Sequence, residues 1–318
     1  MSGREQQEEG QENDSFIEAN VQVVEVKPTR FRNFLKFLVS FVTSEKQREQ
    51  VNADIETKLW RMPPLFFIFF TLFQISVFMY YYIRYHYKLT DDPIELFVFV
   101  GGCYTSIFSI SPMYPYEVWR LVTHSFLHLW EYHLFKNMIV QVFLGIPQEI
   151  AFRFPKIAPL YFGGIMFSEI VMRTFQERSI FLCGASGGDY ALIFAQVANL
   201  IVNWKEVPYR KVQALVIFVN VAADCGEDFK NVLMGKQINY DHGTHSHAAI
   251  YGLLYGFCFL YFKGETAKWR AARLTFIALY ILVLIGCIIQ NINIYIHDET
   301  VYALDESLFA GSTNATFF

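Results

Sequence analysis

Long apolar runs separated by polar connectors are the feature that most restricts how this chain folds. Runs rich in Phe, Leu, Ile and Val recur from residue 64 to residue 294. A helix that crosses a membrane needs about 20 consecutive apolar residues. Only 18% of the 318 residues are charged and 53% are apolar, whereas a typical soluble domain carries about 25% charge. The pattern predicts an all-α polytopic membrane protein.

Seven membrane spans are predicted, and together they form a membrane domain over residues 63–296. The fifth is the shortest, and its length suits a tilted helix or a locally thinned bilayer. The predicted spans are residues 64–83, 132–150, 157–172, 180–202, 212–223, 243–262 and 274–294.

The N-terminal region, residues 1–62, is predicted to be cytosolic. Its first 20 residues are acidic and polar and lack the apolar core of a signal peptide, which is typical of a disordered segment. Residues 30–42 show helical spacing of apolar side chains opposite polar ones. This amphipathic segment fits equally well a helix on the membrane surface and a helix packed on the protein itself.

The distribution of positive charge orients the predicted spans. Nine Lys or Arg residues precede the first span, three lie in the connector after it, and residues 297–318 contain none. Because cytosolic connectors are enriched in Lys and Arg, we expect a cytosolic N-terminus and a short lumenal or extracellular tail over residues 297–318. Opposite sides for the two ends require an odd number of spans, and seven satisfies this.

Three predicted spans carry polar side chains near the same membrane face. Spans two, four and six run inward from the outer face. Near their outer ends lie His133 and Asn137, Ser186, and His245 and His247. Ionisable groups within a span are costly, which favours a functional explanation. A hydroxyl, an imidazole and an amide at similar depth would supply a nucleophile, a base and an oxyanion donor.

Glycines surround Ser186 in the segment CGASGGDYAL. They leave backbone N–H groups accessible to a developing oxyanion, and they also let a neighbouring helix approach closely. Gly184 and Gly188 form a GxxxG pair. From this segment alone, a catalytic turn and a plain helix-packing face are about equally supported.

Charge and cysteine usage exclude other classes. A net charge of -4 without a long Lys/Arg block argues against nucleic acid as a partner. The cysteines are odd in number, widely spaced and without a CxxC pair, so we interpret them as small buried apolar residues rather than a disulfide scaffold. They are Cys103, Cys183, Cys225, Cys258 and Cys287.

His124 and His128 have the four-residue spacing of zinc ligands, but no third ligand has a suitable spacing. We therefore interpret both as packing residues of a loop, and no metal site is predicted.

Two segments resemble the rhomboid intramembrane serine proteases. GASGGDYALIFAQVANLIVNW contains the family's GxSG around Ser186. YPYEVWRLVTHSFLHLWEYHLFKNMIVQVFLGIPQE contains its Trp119–Arg120 pair and the HxxxN step from His133 to Asn137. The resemblance covers residues 114–263 and is strongest to the animal, secretory-pathway type. It implies a rhomboid-like six-helix core plus one additional C-terminal transmembrane helix.

The family pattern expects a histidine on the sixth span followed by small residues at +3, +7 and +11. From His245 these steps reach Ala248, Gly252 and Gly256, whereas from His247 they reach bulkier side chains. Two residues turn a helix by about 200°, so only one of the two histidines can face the nucleophile. The register favours His245, although Ala248 replaces the usual glycine.

The resemblance implies a role for each matched residue. Ser186 would be the nucleophile and His245 the general base. The oxyanion and its support would come from His133, Asn137, Gly184 and the Ser186 backbone N–H. Tyr190 would pack against the catalytic imidazole.

Two further features concern the surroundings of this implied site. Trp119 and Arg120 would anchor the first outer loop at the membrane interface. Asp189 stands where an apolar residue is usual and is given no catalytic role.

The implied function is a cofactor-independent hydrolase, an intramembrane serine endopeptidase of the secretory pathway (Golgi, endosome or plasma membrane). Its partners would be the lipid bilayer and single-span membrane proteins, such as precursors of EGF-like growth factors in EGF receptor signalling. The alternative is a catalytically inactive rhomboid-like protein that binds single-span clients and controls their traffic. Such members usually lack the serine or the histidine, and both are present here. A transporter or channel is disfavoured, since no paired half-helices or charged pathway are evident.

Overall fold

A computed structural model describes residues 29–57, 63–86, 108–110, 117–128, 130–175, 183–234, 241–261 and 266–297. Within these ranges the fold is helical, and no β-strand occurs. The predicted disordered segment 1–20 and the tail 298–318 lie outside the described residues. The described ranges therefore support the all-α class that the apolar runs predict.

The described ranges contain helices at the predicted spans and three more outside them. In chain order the helices are α1 (Arg30–Ser40), α2 (Glu45–Thr57), α3 (Leu65–His86), α4 (Arg120–Thr123), α5 (Glu131–Val140), α6 (Ile146–Phe152), α7 (Phe154–Phe175), α8 (Ser186–Val202), α9 (Arg210–Leu233), α10 (Asp241–Tyr255) and α11 (Ala267–His297). The three outside the predicted spans are α1, α2 and α4. A π-helical turn over Gln141–Gly145 joins α5 to α6, and another over Gly256–Leu260 extends α10.

The helix at the fifth predicted span is longer than expected. The predicted span ends at residue 223, whereas α9 continues through Asp224 to Leu233 and has 24 residues. A carboxylate is tolerated at this point because it contacts polar side chains of three neighbouring helices, described below.

By length and composition, two helices in the described part of the chain are suited to cross a membrane. They are Leu65–Ile83 within α3 and Ala267–Asn293 within α11. Large apolar side chains on both are exposed, including Phe69 on α3 and Leu274 on α11. The other helices at predicted spans are shorter or carry more polar residues, and several of them pack on one another.

Helices α7, α8 and α10 form the centre of the bundle, each packed on the other two. Small residues bring them close together. A Cβ added to Gly252 of α10 would lie 2.3 Å from the carbonyl oxygen of Ala191 in α8. One added to Gly256 would lie 2.8 Å from the Cβ of Ala198. Glycine permits this approach of two helix backbones, and larger side chains would separate them.

Helix α1 takes the protein-packed position of the two that its amphipathic pattern allowed. Leu35 and Val39 are buried in a cluster with Val51 and Ile55 of α2 and Ile150 of α6. Its other side still exposes about half of each of three aromatic rings, those of Phe31, Phe34 and Phe37.

Candidate active site

Helix α8 begins at Ser186, directly after a turn that requires glycine. Gly184 has φ +127°, a conformation that side chains with a Cβ rarely adopt. Its N–H donates to the carbonyl oxygen of His124 at 3.0 Å, which holds the turn in place. The first N–H groups of a helix have no partner within the helix. The turn therefore presents backbone donors beside the Ser186 hydroxyl.

His133 of α5 lies over this turn. A Cβ added to Gly184 would be 2.7 Å from His133 Cε1 and 2.9 Å from Nε2, so the imidazole occupies the space that a side chain would need. The ring of His128 contacts that of His133, with centroids 5.2 Å apart. Burial lowers the pKa of His128 well below its usual value, which favours a neutral ring in this loop.

Asn137 follows His133 by one turn of α5 and is buried, with 5% of its surface exposed. Its side-chain Nδ2 has no hydrogen-bond partner within the described ranges. A buried amide donor without a protein partner is costly to keep. Such a donor suits an oxyanion site, where it binds charge that develops during the reaction.

His245 of α10 lies against the side of α8 that carries Ser186. Its ring stacks on that of Tyr190, with centroids 4.2 Å apart and planes 7° apart. Tyr190 is four residues after Ser186, and residues at this spacing share one helix face. Within the described residues no hydrogen bond joins Ser186 to His245.

Asp224 of α9 joins this group, although it lies just beyond the predicted fifth span. Its Oδ2 accepts a hydrogen bond from the Tyr190 hydroxyl and lies 3.4 Å from His245 Nδ1. Its Oδ1 lies 3.7 Å from Lys136 Nζ of α5. The predicted topology could have indicated Asp224, because the predicted fifth span ends at the same face where the predicted spans two, four and six begin.

His247 points in another direction. It is half-buried and near Glu169 of α7, and its Nδ1 has no hydrogen-bond partner within the described ranges. The same Glu169 lies 3.5 Å from His124 Nε2 in the outer loop. The two histidines of α10 thus face different neighbours, as expected for positions about 200° apart on a helix.

Asp189 is buried, with 2% of its surface exposed. Neither of its carboxylate oxygens has a hydrogen-bond partner within the described ranges, and the nearby Gln141 and Tyr161 are hydrogen-bonded to each other. These neighbours differ from those of Tyr190, the next residue of the chain, which contacts His245. The arrangement gives Asp189 no part in orienting that imidazole.

Arg120 joins separate parts of the segment that precedes α5. It is buried, pairs with Glu117, and donates from Nη1 to the Ser109 carbonyl oxygen at 2.8 Å. His124 Nδ1 donates to the Arg120 carbonyl oxygen, also at 2.8 Å. The neighbouring Trp119 is half-exposed. Since His124 also accepts the Gly184 N–H, this segment is tied to the turn before Ser186.

Four of the five cysteines lie in the described ranges, and Cys103 lies outside them. Cys258 and Cys287 are free and buried, as interpreted from the sequence. Cys225 is free but exposed, and Cys183 is disulfide-bonded. The interpretation as buried apolar residues is therefore wrong for Cys183 and Cys225.

Fold and site together describe a helical protein with a serine at a helix start, an imidazole near that helix face, and an amide donor on a third helix. Comparison with known proteins identifies the family. Residues 115–262 match the family model described as "Rhomboid domain". The chain belongs to the rhomboid family, and this family and the apolar helices indicate a membrane protein.

The relatives include proteins named rhomboid-related and one named inactive. Rhomboid-related protein 1 of Caenorhabditis elegans is 32% identical over 69% of this chain and 62% of the relative. Rhomboid-related protein 2 of Mus musculus is 32% identical over 52% of this chain and 53% of the relative. Inactive rhomboid-related protein 2 of C. elegans is 28% identical over 62% of this chain and 54% of the relative. The chain spans less than two thirds of each of these relatives.

Proposed function

We propose that this protein is an intramembrane serine endopeptidase that cleaves single-span membrane proteins within or near their transmembrane segment. The observation that carries the proposal is the stack of His245 on Tyr190, one turn after Ser186. It brings a base towards the helix face that bears the nucleophile. The buried Asn137 amide and the glycine turn before Ser186 support an adjacent oxyanion site.

The reaction would follow the acyl-transfer sequence of serine hydrolases. His245 takes the proton from Ser186 Oγ as Oγ bonds to the carbonyl carbon of the scissile peptide. The oxyanion is stabilised by Asn137, His133 and the Ser186 N–H. The C–N bond then breaks, and His245 gives its proton to the leaving amine. Water, deprotonated by the same imidazole, hydrolyses the acyl-enzyme and returns Ser186.

The membrane arrangement that accompanies this proposal has seven spans, a cytosolic N-terminus and the site near the lumenal or extracellular face. The positive charge before the first span supports it. The disulfide at Cys183, three residues before Ser186, supports an oxidising environment at that face. Precursors of EGF-like growth factors in the secretory pathway are the substrate class that we would test first.

A fluorophosphonate probe tests the proposed nucleophile directly. Wild-type protein in detergent or liposomes should be labelled, and Ser186→Ala should not be. Co-expression with a panel of single-span precursors then tests cleavage, with Ser186→Ala as the matched control. A wild-type protein that is folded, unlabelled and unable to cleave any precursor would contradict the proposal.

A second candidate function is that of a binder of single-span clients without catalysis. The observation in its favour is the similarity to a relative named as inactive. Ser186 and His245 are both present here, which favours the enzyme. Capture of the same precursors by wild-type and Ser186→Ala protein, with neither probe labelling nor cleavage, would favour the binder.

A further inference from the structure

We infer that Asp224 is a positioning residue that orients the imidazole of His245 for catalysis. The inference rests on the proposed function and adds a third group to the serine and histidine that it names. Asp224 belongs to α9, a helix that supplies neither the nucleophile nor the base.

The carboxylate of Asp224 makes a different contact with each of its oxygens. Oδ2 accepts the Tyr190 hydroxyl and lies 3.4 Å from His245 Nδ1. Oδ1 lies 3.7 Å from Lys136 Nζ. The side chains of Asp224 and His245 are each 15% exposed, so their interaction is partly shielded from water. The Tyr190 hydroxyl and ring fix the carboxylate and the imidazole to the same point of α8.

This geometry selects one nitrogen of the His245 ring as the base. A neutral imidazole has one N–H and one lone pair. A carboxylate facing Nδ1 favours a proton at Nδ1, which leaves the Nε2 lone pair to accept the Ser186 proton. As the imidazolium forms, the negative charge of Asp224 stabilises it. The stack on Tyr190 restricts the plane of the ring while Asp224 restricts its rotation.

Several charged or titratable groups face the His245 ring. Asp224 approaches from α9 and Tyr190 from α8, and His133 of α5 interacts with it electrostatically. Lys136, also on α5, acts on the ring through its contact with Asp224. A change of charge at Asp224 and one at Lys136 should therefore have opposite effects on protonation of His245.

The test measures the rate of fluorophosphonate labelling by full-length protein between about pH 5 and about pH 9, the range over which histidine titrates. General base catalysis contributes about 10²–10⁴-fold, so Asp224→Asn should lower the plateau rate by at least about 10-fold. Its acid limb should move to lower pH, because the imidazolium loses a counter-charge. Lys136→Gln should move the acid limb to higher pH, and Asp224→Glu should recover part of the rate. Glu131→Gln, which removes a carboxylate from an exposed side chain at the start of α5, is the matched control.

Opposite shifts of the acid limbs in Asp224→Asn and Lys136→Gln would show that these residues act through the charge and orientation of His245. Damage to the fold would reduce the amount of labelled protein, but it would not move the two acid limbs in opposite directions. Thermal unfolding of each variant gives the folded fraction used to normalise the rates. An Asp224→Asn protein that is labelled at the wild-type rate with the wild-type pH profile would overturn this inference alone. A wild-type protein that is not labelled would instead overturn the proposed function, and the inference with it.

Discussion

The ring of Tyr190 lies parallel to the imidazole of His245, with 4.2 Å between centroids and 7° between planes. The two residues belong to helices α8 and α10, whose backbones come into contact at Gly252 and Gly256. The close seam brings the imidazole within stacking distance of a residue one turn after Ser186. This relationship connects the packing of the bundle to the candidate chemistry.

Removing the Tyr190 ring should impair catalysis more than removing its hydroxyl. Tyr190→Phe keeps the stack and loses the hydrogen bond to Asp224, whereas Tyr190→Ala loses both. An aromatic pair contributes about 0.5–1.5 kcal/mol and a hydrogen bond to a charged group about 1.5–3 kcal/mol. We expect Tyr190→Ala to label at least about 10-fold more slowly and Tyr190→Phe to lie between it and wild type. Equal rates for all three proteins would show that the ring is not needed.

Ser186→Ala and His245→Ala should each abolish cleavage, while His247→Ala should retain it. The reason is that His245 stacks beside the Ser186 face of α8, whereas His247 lies near Glu169 of α7. The measurement is cleavage of a co-expressed single-span precursor, normalised to the amount of folded enzyme. Activity that survives His245→Ala and disappears in His247→Ala would reverse the assignment.

Asn137→Ala should lower turnover with little effect on substrate binding. Its Nδ2 has no hydrogen-bond partner within the described ranges, so its loss leaves no protein acceptor unsatisfied. Removal of one oxyanion donor typically lowers kcat by about 10²–10³-fold. Steady-state kinetics in detergent should show this loss in kcat with KM unchanged. A normal kcat would mean that the amide is structural or that the remaining donors suffice.

A methyl group at Gly252 should destabilise the bundle. Its Cβ would lie 2.3 Å from the Ala191 carbonyl oxygen. The nearest atoms all belong to the backbone of α8, which has little room to move away. Overpacking of this kind costs about 1–3 kcal/mol. We expect a lower Tm and less labelling for Gly252→Ala. Gly286→Ala of α11 is the matched control, because a Cβ there meets nothing within 4 Å, and it should equal or exceed the wild-type Tm.

Arg120→Ala should reduce stability rather than chemistry. The substitution leaves the partly buried Glu117 carboxylate without its partner and the Ser109 carbonyl oxygen without its donor. Breaking a buried ion pair costs about 3–5 kcal/mol. We expect a lower folded yield and Tm, with the labelling rate of the folded fraction maintained. Full stability combined with loss of labelling would assign Arg120 a role in the site itself.

The sequence predicted the positions of the helices well where apolar runs are long. Within the described ranges helices lie at all seven predicted spans, and the second holds two of them, α5 and α6, joined by a π-helical turn. The spacing of small residues after His245 also predicted which side of α10 lies against α8. The helical repeat places Gly252 and Gly256 on one side of α10, and that side contacts α8.

Other contacts between distant segments could not be predicted from the sequence. The sequence left open whether α1 lies on the membrane or on the protein, because both environments favour burial of an apolar helix face. It also ended the fifth span at residue 223, whereas α9 continues through Asp224, where a carboxylate is costly unless it has partners. The partners of Asp224 come from α5, α8 and α10, so only the folded chain could show them.

The sequence alone determined the helical class, the order of the helices and the residues able to serve as nucleophile, base and oxyanion donor. Those properties depend on residue type and on spacing along one helix. The resemblance led us to expect Tyr190 beside His245, and only the tertiary structure showed that Asp224 of α9 contacts both of them. These relationships depend on distances between helices. They are set when side chains far apart in the chain pack against one another, which a helical repeat does not specify.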